Sequence, residues 1–140
     1  MKLLALYLFV QLSTLSVYHL PRIEPPQECV ATYDSVSQQA IYIFVEQMPQ
    51  YPGGQLALMK YLNNHFKHPK QDYFQASFMV EFVVDAKGKV VAPRIKGKSE
   101  EKLTKAETKL LEVFKKMPTW IPGKCNQQNV ATKMFLPLKF

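Results

Sequence analysis

The stretch "SFMVEFVVDAKGKVVAPRI", residues 77–95, carries the clearest structural signal in the chain. Phe78, Val80, Phe82 and Val84 alternate with period two, which places them on one face of a strand. Asp85-Ala86-Lys87-Gly88 then offers Asp at the first position of a turn and Gly at the fourth. The run from Lys89 to Ile95 returns as an antiparallel partner, and Pro93 puts part of it at a sheet edge or a bulge. Upstream, residues 41–47, "IYIFVEQ", are β-branched and aromatic and read as a strand. Pro49 and Pro52 force an extended path after it, and Gly53 and Gly54 permit a sharp turn. A helix follows with Leu58, Met59, Leu62 and Phe66 on one face, and Pro69 ends it. Downstream, Ser99 is the expected cap of a second helix whose buried stripe is Leu103, Ala106, Leu110, Phe114 and Met117. Pro118 stops that helix. The last run, residues 129–140, alternates Val130, Thr132, Met134, Leu136, Leu138 and Phe140 against Ala131, Lys133 and Phe135, and Pro137 marks it as an edge strand. The order strand, helix, hairpin, helix, strand predicts an α+β fold: a small antiparallel β-sheet of about three main strands with helices packed on one face.

The chain has 140 residues, room for one domain, and its nine Phe and seven Tyr supply a core. The formal charge of +7 comes almost wholly from lysine, since Arg22 and Arg94 are the only arginines. Arginine is the better reader of phosphate and base edges, so scattered lysine points to a solvated surface and not to nucleic acid. Lys2 precedes an apolar run over residues 3–17, which fits a signal peptide over 1–20 better than a membrane anchor. Residues 21–40, with Pro21, Pro25 and Pro26, read as a short linker, and 41–140 as the domain. Cys29 in the linker and Cys125 in a loop are compatible with one disulfide but are expected to stay apart.

No constellation for catalysis emerges. His65 and His68 form H-x-x-H near a helix end, with Asp72 the only third ligand in sight, so they read as a solvated helix end and no metal site is expected. Nucleophile-elbow, phosphate-loop and dinucleotide patterns are missing, and neither an enzyme nor a cofactor is expected. The element order also occurs in RNA-recognition domains, but their Lys/Arg-Gly-aromatic pattern is missing.

Two proline-aromatic stretches remain: "MPQYPGG" at 48–54 and "MPTWIPGK" at 117–124. Each lies where a regular element ends, so Tyr51 and Trp120 read as rings that pin two corners. Together with "KHP" at 67–69, the V-x-F-x-V-x-x-x-G-x-V pattern of 80–90 and "FLPLKF" at 135–140, they resemble the C-terminal domain of the TonB family in its Bacteroidetes-type form. The resemblance covers about residues 45–140. It differs in the short, glycine-free "KQDYFQAS" ahead of the hairpin and in "CNQQN", where relatives have Asn-Gly.

The resemblance implies a periplasmic coupling module without catalytic residues. TonB proteins sit with motor proteins at the inner membrane and grip the TonB box of an outer-membrane receptor by β-strand addition. By analogy the peptide pairs along Val130, Ala131, Thr132, Lys133, Met134, Phe135 and Leu136, with Gln50, Tyr51 and Pro52 as side-chain contacts. Gly53, Gly54, Gly88, Pro118, Trp120, Pro122 and Gly123 are the motif residues that support the fold. About twenty linker residues reach only ~65 Å, short for spanning the periplasm. A free periplasmic peptide-binding module, or a scaffold that dimerises through its edge, is therefore the alternative.

Overall fold

The computed structural model describes residues 29–67 and 77–139. The expected leader, Pro21, Pro25, Pro26, His68, Asp72 and Phe140 lie outside them. The fold is α+β, with seven strands among the described residues: β1 (Val30–Asp34), β2 (Gln39–Phe44), β3 (Ser77–Val84), β4 (Val90–Ile95), β5 (Gly123–Cys125), β6 (Gln128–Val130) and β7 (Thr132–Lys139). Helix α1 spans Gly54–His65 and helix α2 spans Lys105–Lys115. Five strands form one sheet in the order β1-β2-β7-β3-β4, and β5 and β6 form a separate hairpin. Among the described residues, no helix is long and apolar enough to cross a membrane.

The 77–95 hairpin forms as its pattern requires. Phe78, Val80, Phe82 and Val84 face the helices and are buried with Leu58, Leu62 and Phe66 on one side and Leu110, Leu111 and Phe114 on the other. β4 is the outer strand, and its register shifts near Ala92, which has φ 48°. The bulge just before Pro93 suits a residue that cannot donate to a ladder. In the connecting turn the Asp85 carboxylate accepts from the amides of Lys87 and Lys89, 2.8 Å each.

Gly88 sits in that turn at φ +84°, and its carbonyl accepts from the Trp120 amide at 2.8 Å. A Cβ there would lie 2.0 Å from the Trp120 carbonyl oxygen. Gly88→Ala is expected to destabilise the domain by about 2 kcal/mol, from strain at positive φ plus the clash. Urea unfolding checks this, and a loss below about 0.5 kcal/mol, the range of a neutral surface change, would contradict it.

Three expectations need correction. The sheet has five strands where about three were expected, because residues 30–40 are folded and not linker. Here "VATYDSVSQQAIYI" is β-branched on both sides of a turn, and Asp34 closes that turn by accepting from the Ser37 amide (2.8 Å) and hydroxyl (2.7 Å). Ile41 from this hairpin packs on Val83 and Ala131, on the sheet face away from the helices. Helix α2 is capped by Thr104 and not by Ser99: the Thr104 hydroxyl and Glu107 form a reciprocal capping box, a T-x-x-E signal present in the sequence. Cys29 and Cys125 are joined in a disulfide with their Cα atoms 6.2 Å apart, an ordinary span for such a bridge.

Candidate functional site

The two proline-aromatic stretches are zipped to each other. Gln50 and Ile121 exchange both main-chain hydrogen bonds, 2.9 and 2.8 Å, and Gln47 and Lys124 do the same at 3.2 and 2.9 Å. The prolines explain why this ladder is short, since Pro49, Pro52, Pro118 and Pro122 have no amide hydrogen to give. The zip brings Tyr51 edge-on to Trp120, with ring centroids 5.4 Å apart and planes at 87°. Trp120 also meets Phe82 at 5.5 Å. Burial, then the neighbouring Tyr61, pushes the Tyr51 phenol above its ordinary pKa.

These rings wall a cavity of about 320 Å³ at the start of α1. Its lining includes Gln50, Tyr51, Leu58, Phe82 and Trp120 on one side and Met134, Phe135 and Leu136 of β7 on the other. It is mostly apolar and lies beside a strand that, among the described residues, is paired fully on one side only. β7 pairs with β3 along its whole length, Ser77↔Lys139 to Val84↔Thr132. On its other side β2 meets it at a single position, Tyr42↔Thr132. The Tyr42 amide donates to the Ala131 carbonyl at 2.8 Å. Main-chain groups alternate sides along a strand, so odd-numbered residues of β7 point their amides and carbonyls toward this side. Beyond the Tyr42 bridge, the Phe135 N–H and C=O and the Pro137 C=O have no strand beside them among the described residues. Pro137 falls on the odd register, where its missing N–H leaves the β3 ladder intact.

The structure therefore gathers five of the expected peptide contacts, Gln50, Tyr51, Met134, Phe135 and Leu136, around one cavity with the motif residues Gly54 and Trp120. Pro52 is exposed next to them at the turn into α1. The others are placed differently. The terminal run is not one strand: Val130 belongs to β6 and pairs with Gly123. Ala131 and Thr132 are buried, the first bonded to Tyr42 and the second against Gly123, whose missing Cβ leaves room for the Thr132 hydroxyl. Among the described residues the edge is thus open only past Thr132. The Lys133 ammonium is engaged by Glu81 at 2.7 Å. Gly53 and Gly54 both take positive φ, 81° and 80°, where the chain turns into α1. Gly88 and Pro118 flank the Trp120 segment from the hairpin and from the end of α2.

Sequence reasoning missed Leu58 and Phe82 as cavity walls, since both read only as core. It also missed a charged cluster on the far face of the sheet. Arg94 bridges Asp34, at 2.8 Å, and Glu81, which Lys133 also reaches. Burial raises the Asp34 carboxyl, but hydrogen bonds from Arg94 and Ser37 outweigh it and bring the pKa down to about 2. Glu81 is likewise lowered, burial being overcome by Lys133 and Arg94. The Phe135 ring has the Lys96 and Lys133 ammonium groups 5.2 and 5.5 Å from its centroid. Among the described residues, Cys29, Glu46 and Cys125 form the one trio of metal-ligating types found close together, and its two sulfurs are bonded to each other. His65 instead bonds the Tyr61 carbonyl at 2.8 Å.

The fold and site define an α+β domain with a half-open sheet strand beside an apolar cavity. Comparison of the chain with protein-family models, with curated proteins and with solved structures gives no match.

Proposed function

We propose that the domain is a peptide-binding module that takes an extended segment as an added strand on β7. The observation that carries this reading is the main chain of β7 past the Tyr42 bridge, unpaired on that side among the described residues and directly beside the cavity that Tyr51 and Trp120 line. An unpaired strand edge is a template for another chain, and a cavity alongside it gives alternate side chains a place to bind. In the TonB-like form of the reading, the segment is the TonB box of an outer-membrane receptor and the domain acts in the periplasm in transport coupling. The sequence motifs support that form, and the Cys29–Cys125 bridge is consistent with an oxidising compartment. Motor proteins at the inner membrane are then the partners of a retained N-terminus. A free periplasmic binder, or a domain that pairs with its own copy through an edge, uses the same physics without energy transduction.

Titrating ¹⁵N-labelled oxidised protein with TonB-box peptides tests the reading. Shifts are expected at Phe135 and its β7 neighbours and at Gln50 and Tyr51. Phe135→Pro removes the edge-facing amide on the same register as Pro137, so it is expected to weaken binding about tenfold and leave the β3 ladder intact. A folded wild-type domain whose Phe135 amide stays still at millimolar peptide would sink the proposal.

A further inference from the structure

Behind the cavity wall lies a buried donor without an acceptor among the described residues. Trp120 is 5% exposed and forms part of the cavity wall, and its indole Nε1 is buried with no hydrogen-bond partner among the described residues. A buried donor left unpaired is disfavoured, and native proteins seldom keep one without a use for it. Its ring neighbours, Tyr51 and Phe82, provide no oxygen acceptor to it. Gln50 and Gln55 also line the cavity and carry amide oxygens, but neither accepts from the indole, and the remaining walls are apolar.

Strand addition decides what comes near this donor. Met134 and Leu136 point to the helix side of β7, where both pack on the main core. In a paired strand, residues opposite each other share a face, so the residues of an added peptide opposite Met134 and Leu136 send their side chains to that same side. The intervening ones lie on the far face with Phe135 and its two lysines.

We infer that the cavity selects one side chain of the added segment, a large apolar one tipped with an oxygen acceptor, and that the Trp120 Nε1–H donates to that oxygen. Tyrosine is the standard residue that joins an apolar ring to such an oxygen. A volume of about 320 Å³ is at the small end for ligand sites and suits one ring more than an extended ligand. The partner is thus an extended peptide with a tyrosine flanked by β-formers, and its tyrosine gives the specificity that main-chain pairing alone does not. This inference rests on the strand-addition reading.

The chain has one tryptophan, so its indole N–H gives a single, separate NMR cross-peak. The test uses two soluble probe peptides of threonine and valine, identical except for a central tyrosine or phenylalanine, titrated into the oxidised protein. The tyrosine peptide is expected to move both the Phe135 amide and the indole N–H, the latter downfield. It is expected to bind about fivefold tighter than the phenylalanine peptide, the effect of one hydrogen bond. In Trp120→Phe that preference should fall to about one, with the Phe135 amide still responding. A Phe135 amide that moves while the indole stays still, or equal affinities for the two peptides, overturns the tyrosine pocket and leaves strand addition standing. An indole already hydrogen-bonded in the free protein and unmoved by peptide also overturns it, because the chain itself then fills the cavity. Silence at Phe135 with both peptides removes the strand-addition reading and this inference with it.

Discussion

Arg94→Met is expected to lower the stability of the domain by about 3 kcal/mol, the low end for breaking a buried ion pair by removing one partner. The low end applies because Arg94 is 23% exposed and its partners keep other donors. Asp34 retains the Ser37 amide and hydroxyl, and Glu81 retains Lys133. The guanidinium still ties the β1–β2 turn to β4, across the far face of the sheet. The exposed pair Lys115–Glu112, at 2.8 Å, is the control. Lys115→Ala should change stability by no more than about 0.5 kcal/mol. Urea midpoints compare the two, and equal small losses would mean that the Arg94 cluster behaves as surface. The pH dependence has a definite sign. The Asp34 carboxyl titrates near 2 in the folded chain and near 3.9 in an unfolded one. Between these values the unfolded state binds more protons, so stability is complete above about pH 4 and falls as pH drops toward 2. Arg94→Met should flatten that acid slope.

The second large effect belongs to the disulfide. Cys29 and Cys125 are 96 positions apart in sequence. In the chain-entropy account, a closed loop of that size removes about 4 to 5 kcal/mol of unfolded-state freedom. Reduction, or the pair Cys29→Ser and Cys125→Ser, is expected to lower the melting temperature by roughly 10–15 °C for a domain of this size. Calorimetry with and without reductant measures it, with mass spectrometry of a non-reduced digest to identify the bridged peptides. An unchanged melting temperature with the bridge confirmed would contradict this chain-entropy account.

How much of this was readable depends on range. The 77–95 hairpin and both helices were legible because their signals are local: alternation, a turn with Asp and Gly in place, and an apolar stripe every three to four residues. The number of strands was not, since the three prolines ahead of Cys29 dominate the composition of that region and hide the β-branched pairing of Val30–Asp34 with Gln39–Phe44. Thr104 was legible in principle, as T-x-x-E is a cap signal, but Ser99 lies before a more obviously acidic turn. The two proline-aromatic stretches were recognised as corners, but nothing local says that corners some seventy residues apart bond to each other. The cavity follows from that pairing, which is why its walls include residues that read as plain core. The disulfide was likewise hidden, because the folding of β1 is what carries Cys29 to Cys125. The turn after Cys125 shows a milder form of the same limit. Asn126 and Gln127 both take positive φ, 49° and 63°, in a tight hairpin, a geometry usually given to Asn-Gly.

The bridge also shapes how the domain would bear load. Tension applied to the chain ahead of Cys29 meets the sulfur link before it meets β1. Through Cys125 it passes along residues 126–131 directly into β7, the strand whose open side is proposed to hold the peptide. The covalent route bypasses the β1–β2 hairpin, both helices and β3, so these elements are spared while the bridge is closed. The weakest link under tension is then the row of hydrogen bonds between β7 and its guest. Cut the bridge, and the same tension would peel β1 from β2 first.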